Sequence, residues 1–157
     1  MEKFLENIYV AEKNLRTVDH IIYVTFPLIK DKRLLLKVIQ EIKGIITGCI
    51  TSILQYDYLY KRVRLYKDSR ENLKTFTEKC APRYNIGKNE IKLISELFEF
   101  VENHKKSPFE FVKDEKIVIL SENSKPTTLS LEKTKEFLIM AKDILRKTKE
   151  GMKNHFP

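Results

Sequence analysis

Gly44-Ile45-Ile46-Thr47-Gly48-Cys49-Ile50-Thr51-Ser52-Ile53-Leu54-Gln55-Tyr56 is the stretch whose reading decides the fold. Its thirteen residues include no Asp, Glu, Lys, Arg or His. A helix lying on a protein surface keeps a charged face towards water, so a helix uncharged all round is enclosed on most sides. Leu35, Val38, Ile42, Ile45, Ile46, Cys49, Ile50 and Ile53 fill a broad apolar arc. Gly44, Gly48 and Ser52 recur at every fourth position on the opposite face, where short side chains let another helix approach closely. That helix belongs either to the same chain, making this the central helix of a bundle, or to a second copy across a homodimer seam. The run falls short of the ~20 apolar residues of a membrane span, and its flanks are charged.

Working outward, the helix is expected to start near Asp31, a good N-cap, and to continue to about Leu65. Before it, Phe4, Ile8, Ala11, Leu15, Val18 and Ile22 step by threes and fours and mark a first helix, with Glu12 and Arg16 one turn apart on its wet side. Pro27 should end or kink that helix. Asp68-Ser69 can cap a third helix carrying Leu73, Phe76 and Cys80 and stopped by Pro82, and Asn85-Ile86-Gly87 reads as a loop. A fourth helix carries Ile91, Ile94, Leu97, Phe98 and Val101 to near His104, and Ser107-Pro108 breaks it. The period then shifts to two. Phe109-Glu110-Phe111-Val112 and Lys116-Ile117-Val118-Ile119-Leu120, either side of Lys113-Asp114-Glu115, predict a β-hairpin over 109–120. After a polar loop at 121–128, Ser130 caps a last helix with Leu131, Leu138, Ala141 and Leu145 inward and Gly151 at its end. The expected fold is mainly α: an antiparallel bundle of about five helices with a small β-hairpin before the last. No internal repeat or linker divides residues 1–157, which read as one helical domain.

Composition agrees with a folded helical chain. Of 157 residues, 42% are hydrophobic and 33% charged, with 4 Gly and 5 Pro, unlike a disordered segment. The formal net charge of +8 invites polyanionic partners. The lysines that supply most of it are interleaved with acids throughout, which is also the pattern of an ordinary solvated surface. Cys49 and Cys80 both fall in apolar patterns and predict buried reduced thiols, hence a reducing compartment. Met1-Glu2-Lys3-Phe4-Leu5-Glu6 places acids where a secretion signal needs basic and apolar residues, so the expectation is a cytoplasmic protein with no membrane partner. His20, His104 and His155 lack ligand spacing, and no glycine-rich phosphate loop or nucleophile motif occurs. No metal and no cofactor are therefore expected, and the balance leans away from an enzyme.

Two constellations remain. Arg16, Asp19, His20 and Tyr23 share the shoulder of the first helix, and an acid, a base, a guanidinium and a phenol together suit acid–base work on a phosphodiester. The plainer reading is a set of local salt bridges. The second constellation is Tyr58, Tyr60, Lys61, Arg62, Arg64, Tyr66, Lys67 and Arg70 at the end of the central helix. Cations hold phosphates and tyrosines stack unpaired bases, while Tyr and Arg also mark protein interfaces. Against this, basic residues offset the dipole at any helix C-terminus, as they do at His104-Lys105-Lys106 and Arg146-Lys147-Thr148-Lys149.

The first helix, the break Tyr23-Val24-Thr25-Phe26-Pro27-Leu28-Ile29-Lys30-Asp31, the long central helix and Lys105-Lys106-Ser107-Pro108-Phe109-Glu110-Phe111-Val112 resemble a group of small archaeal-type helical proteins to which no function is attached. The helical part is also similar to HEPN-domain proteins, antiparallel bundles that often dimerise and whose active members cut RNA. Their motif separates an Arg from a His by four to six residues, whereas three separate Arg16 from His20 here. The resemblance thus implies a bundle and a homodimer, and carries over no catalytic residues. The reading that follows is a non-catalytic binding or scaffolding module, engaging a protein or RNA partner through the Tyr/Arg end of the second helix. The alternatives are a divergent HEPN-like, metal-independent ribonuclease using Arg16 and His20 with Asp19 and Tyr23 in support, or a toxin–antitoxin-type component that only occupies its partner.

Overall fold

The structure, a computed structural model, describes residues 2–106, 109–113, 116–120 and 126–156. It is a mainly helical antiparallel bundle with a small sheet inserted before the last helix. The first helix, α1 (Lys3–His20), widens into a π turn (Ile21–Thr25) and continues as α2 (Phe26–Ile29). It therefore passes through Pro27 and stops at Lys30, in the left-handed region with φ 57°. A proline ring collides with the carbonyl four residues back and offers no N–H. The π turn relieves that collision, since the Phe26 N–H reaches back to the Ile21 carbonyl. The same device recurs before Pro82: a π turn (Phe76–Cys80) follows α4 (Ser69–Thr75), and a 3₁₀ turn (Ala81–Tyr84) follows it.

The central helix is α3 (Arg33–Leu59), whose start is fixed by the Asp31 carboxylate accepting the Arg33 N–H at 3.0 Å. It ends six residues before Leu65, where periodicity alone had carried it. Lys61 adopts φ 58°, the Arg62 N–H bonds the Asp57 carbonyl at 2.9 Å, and the Lys61 N–H bonds the Tyr58 carbonyl at 3.0 Å. This is a Schellman closure with lysine where glycine is usual, so no glycine marks it in the sequence.

Within the uncharged stretch, Ile45, Ile46, Cys49, Ile53 and Ser52 are fully buried. One flank is open, with Gly44 and Thr47 exposed and Thr51 and Gln55 half-buried. The three small residues divide accordingly. Ser52 Oγ donates to the Phe4 carbonyl at 2.7 Å, and Gly48 lies against Asn7 and Ala11, so both are covered by α1 of the same chain. A Cβ on Gly44 would meet nothing within 4 Å. Close helix approach therefore occurs within the subunit and stops one turn short of Gly44.

Asp68 caps α4 by accepting the Arg70 N–H at 2.9 Å. Helix α5 is Lys88–Lys106, and α6 (Leu131–Gly151) is capped by Ser130, whose hydroxyl accepts the Lys133 N–H at 3.1 Å. Between them, β1 (Phe109–Lys113), β2 (Lys116–Leu120) and β3 (Pro126–Leu129) form an antiparallel sheet in that order. The first two strands are the expected hairpin, in the register Phe111 opposite Val118. The third, read from sequence as loop, pairs Leu129 with Ile117 and Thr128 with Val118. Its Pro126 opens a strand paired only with β2, where a missing N–H is tolerated, and Leu129 and Ile117 are both buried. The Ser107-Pro108 break, the Asp114-Glu115 turn and residues 121–125 lie outside the described residues. The buried apolar side chains join into one cluster, led by Phe4, Phe76, Phe137 and the isoleucines of α3.

Candidate docking surface at the end of the central helix

The geometry is organised by Asp57, in the last turn of α3. A carboxylate there opposes the helix dipole, yet Asp57 is fully buried. Three donors converge on its Oδ1: Arg83 Nη2 at 3.0 Å, Arg62 Nη1 at 3.3 Å and the Tyr84 hydroxyl at 3.3 Å. Oδ2 has no hydrogen-bond partner among the described residues. Burial and the adjacent Asp57 charge push the Tyr84 phenol well above its ordinary value, and burial together with that carboxylate pushes the Cys80 thiol up to about 12. The node ties the end of α3 to the π and 3₁₀ turns after α4. Gly151 completes it from α6, because a Cβ there would sit 2.2 Å from the Tyr84 ring.

With its base fixed in this way, the end of α3 presents the expected binding residues as follows. Tyr58, in the last turn of α3, is half-exposed next to exposed Leu59. The Tyr60 ring stands 4.7 Å from buried Tyr56, with the Arg62 guanidinium 5.0 Å above it. His155, from the chain's end, packs edge-on against Phe4 and Tyr56 at 5.3 and 5.9 Å. Lys61, Arg64 and Lys67 are exposed. Tyr66 is exposed on a backbone held by Asn72, whose amide both accepts from the Tyr66 N–H and donates to its carbonyl at 2.8 Å. Arg62 to Lys67 thus sit on an anchored connection, with Val63 buried beneath, rather than on a helical face. Arg62 is occupied by Asp57; the tyrosines and the other cations face outward.

Sequence reading did not anticipate the surface alongside. The open flank of α3 forms one wall of a groove of about 500 Å³, lined by Thr47, Ile50, Thr51, Leu54 and Gln55. Leu65, Leu73 of α4 and Phe98 of α5 face them. Among the described residues, Lys43 and Arg70 are the only charged side chains in the lining, and neither is acidic. A smaller hollow of about 280 Å³, lined by Phe4, Tyr58 and Leu59 among others, shares Gln55 and Leu65 with the groove and so lies beside it. The available signal was the charge-free flank itself, since Thr47, Thr51 and Gln55 lie off the isoleucine arc. Asp57 was also signalled, as an acid at the wrong end of a helix.

The other constellation lies apart from this surface. Asp19 is ion-paired with Lys142, and the ammonium groups of Lys135 and Lys142 each lie 5.5 Å from the Tyr23 ring, so these residues brace α1 against α6. Glu12, one turn from Arg16, pairs instead with Lys149 of α6. Arg16 and His20 are exposed, and among the described residues no hydrogen bond or ion pair joins Arg16, Asp19, His20 and Tyr23 to one another. Among the described residues no group of His, Cys, Asp or Glu is placed to hold a metal ion, and no helix is long and apolar enough to cross a membrane. No protein-family model matches the chain, and no curated protein matches it.

Proposed function

We propose that the chain is a non-catalytic binding module whose partner, a protein, docks on the end of α3 and the connection to α4. The observation that carries this reading is the concentration there of exposed large side chains. Tyr58, Leu59, Tyr60, Leu65, Tyr66 and Leu73 are all more than a third exposed and lie next to a groove without acids. Contiguous exposed apolar area rimmed by polar groups marks interaction sites, and Tyr and Arg are the residues that dominate their energetics. Leucines beside the tyrosines favour a protein over RNA, since bases stack on aromatic faces and gain little from aliphatic side chains. The ribonuclease alternative has less support, because the side chains it needs are engaged by α6 or point into solvent without converging.

The test is site-directed photocrosslinking in the native host, with a photoreactive phenylalanine analogue replacing Tyr58 or Tyr66, and with Val10 and Ile139 as exposed control positions. The reading predicts a discrete protein adduct from positions 58 and 66 and none from the controls. Adducts to RNA alone, or equal labelling from all four positions, would overturn it.

A further inference from the structure

The groove specifies more than a docking area. We infer that it takes an acidic amphipathic helix of a partner protein, an inference that rests on the docking surface proposed above. The walls are helix α3 on one side and α4 and α5 on the other, and Ile50, Leu54, Leu65, Leu73 and Phe98 supply the apolar contacts. From Lys43 to Gln55 the α3 wall runs about 18 Å, or three helical turns, at a rise of about 1.5 Å per residue. An occupant helix of similar length would lay apolar residues at i, i+3 or i+4 and i+7 along it, the usual helix-in-groove mode. Thr47, Thr51 and Gln55 present short polar groups along the wall, which suits a packed helix backbone better than bulky charged groups would.

Charge sets the sign of the partner. Lys43 and Arg70 line the groove without a carboxylate, so a helix carrying Asp or Glu beside its apolar stripe is complementary and a basic one is repelled. Small molecules favour enclosed sites, whereas Thr47, Leu65, Arg70 and Leu73 are exposed and leave the trough open along its length. RNA is disfavoured because Phe98 is the single ring in the lining, and Lys43 already lies over it at 5.8 Å.

The experiment uses the full chain and a set of fluorescein-labelled synthetic peptides of about twelve residues, with leucines at helical spacing and glutamates between them. Matched peptides carry lysine for glutamate, and fluorescence anisotropy reads binding. The expected result is saturable binding of at least one glutamate peptide, about tenfold weaker for its lysine counterpart. The order should reverse in the Lys43→Glu/Arg70→Glu variant, and a Thr47→Trp variant that fills the groove should abolish binding while circular dichroism stays unchanged. Absence of binding, indifference to peptide charge, an unchanged order in the charge-swapped variant, or tighter binding of a single-stranded oligouridine would each overturn the inference. Photocrosslinks from positions 58 and 66 that persist alongside such a failure would leave the docking surface standing and remove only the groove's occupant. Loss of both would remove the binding module itself.

Discussion

Asp57 and Arg62 are joined twice. The Asp57 backbone carbonyl accepts the Arg62 N–H at 2.9 Å, and its carboxylate accepts Arg62 Nη1 at 3.3 Å. The first bond closes the helix and the second secures the residue that turns the chain away from it. Arg83, from the turn after α4, binds the same carboxylate oxygen, so one buried acid fixes both where α3 ends and where the segment after α4 docks. Tyr58 is exposed on the last turn of α3 itself, and this node turns the chain out of the helix before Tyr66, which is exposed on the connection that follows.

Removing either arginine alone should be mild. Both guanidiniums are partly exposed, and each leaves the other in place, so Arg62→Ala or Arg83→Ala should cost about 1–2 kcal/mol. The double variant leaves a buried carboxylate without a cation and should cost about 3–5 kcal/mol. Urea unfolding of the four proteins checks this; a double variant no worse than the sum of small single losses would show that Asp57 is not electrostatically dependent on the pair.

Gly151→Ala should destabilise although glycine normally weakens a helix. Its methyl group would have to displace the buried Tyr84 ring, and overpacking of this kind costs about 1–3 kcal/mol. A Tyr84→Leu background, which removes the nearest ring atoms, should recover most of the difference between the glycine and alanine forms in thermal melts.

Gly44 and Ser52 of α3 should respond in opposite directions to the same change. Gly44→Ala meets no neighbour and should stabilise by about 0.5–1 kcal/mol through helix propensity. Ser52→Ala loses its bond to the Phe4 carbonyl and should destabilise by about 1 kcal/mol. Denaturant midpoints of the two variants on opposite sides of wild type would support the placement of α1; the same sign for both would contradict it.

Stability should fall on the alkaline side. Burial raises the Cys49 and Cys80 thiols from 9.0 to about 12, so the folded chain keeps protons that the unfolded chain loses. The unfolded state then binds fewer protons, and the stabilisation present below pH 9 is lost as pH climbs towards 12. Each thiol contributes about 1.4 kcal/mol per pH unit in that window. Urea titrations at pH 7, 9 and 10 should show the decline, and a Cys49→Ala/Cys80→Ala variant should show a shallower one. For the same reason both thiols should resist alkylation at pH 8 until denaturant is added.

Local pattern carried much of this protein. The isoleucine arc of α3, the heptad-like steps of Phe4, Ile8 and Ala11, and the caps at Asp68 and Ser130 are written in residue spacing, because helix periodicity and capping depend on near neighbours. So were the helical class and the expected hairpin. The rest depended on groups distant along the chain. Nothing near Lys61 signals a left-handed stop; the Arg62 and Arg83 contacts to Asp57 make it favourable, and Arg83 is 26 residues away. Pro27 and Pro82 read as breaks because the π turns that absorb them leave no mark in composition. The third strand exists because β2 offers its edge to Thr127 and Thr128. The groove is the clearest case: the sequence shows that one flank of α3 carries no charge, but only packing decides that α1 covers Gly48 and Ser52 while Thr47 stays exposed and Thr51 and Gln55 half-exposed along the groove that α4 and α5 face.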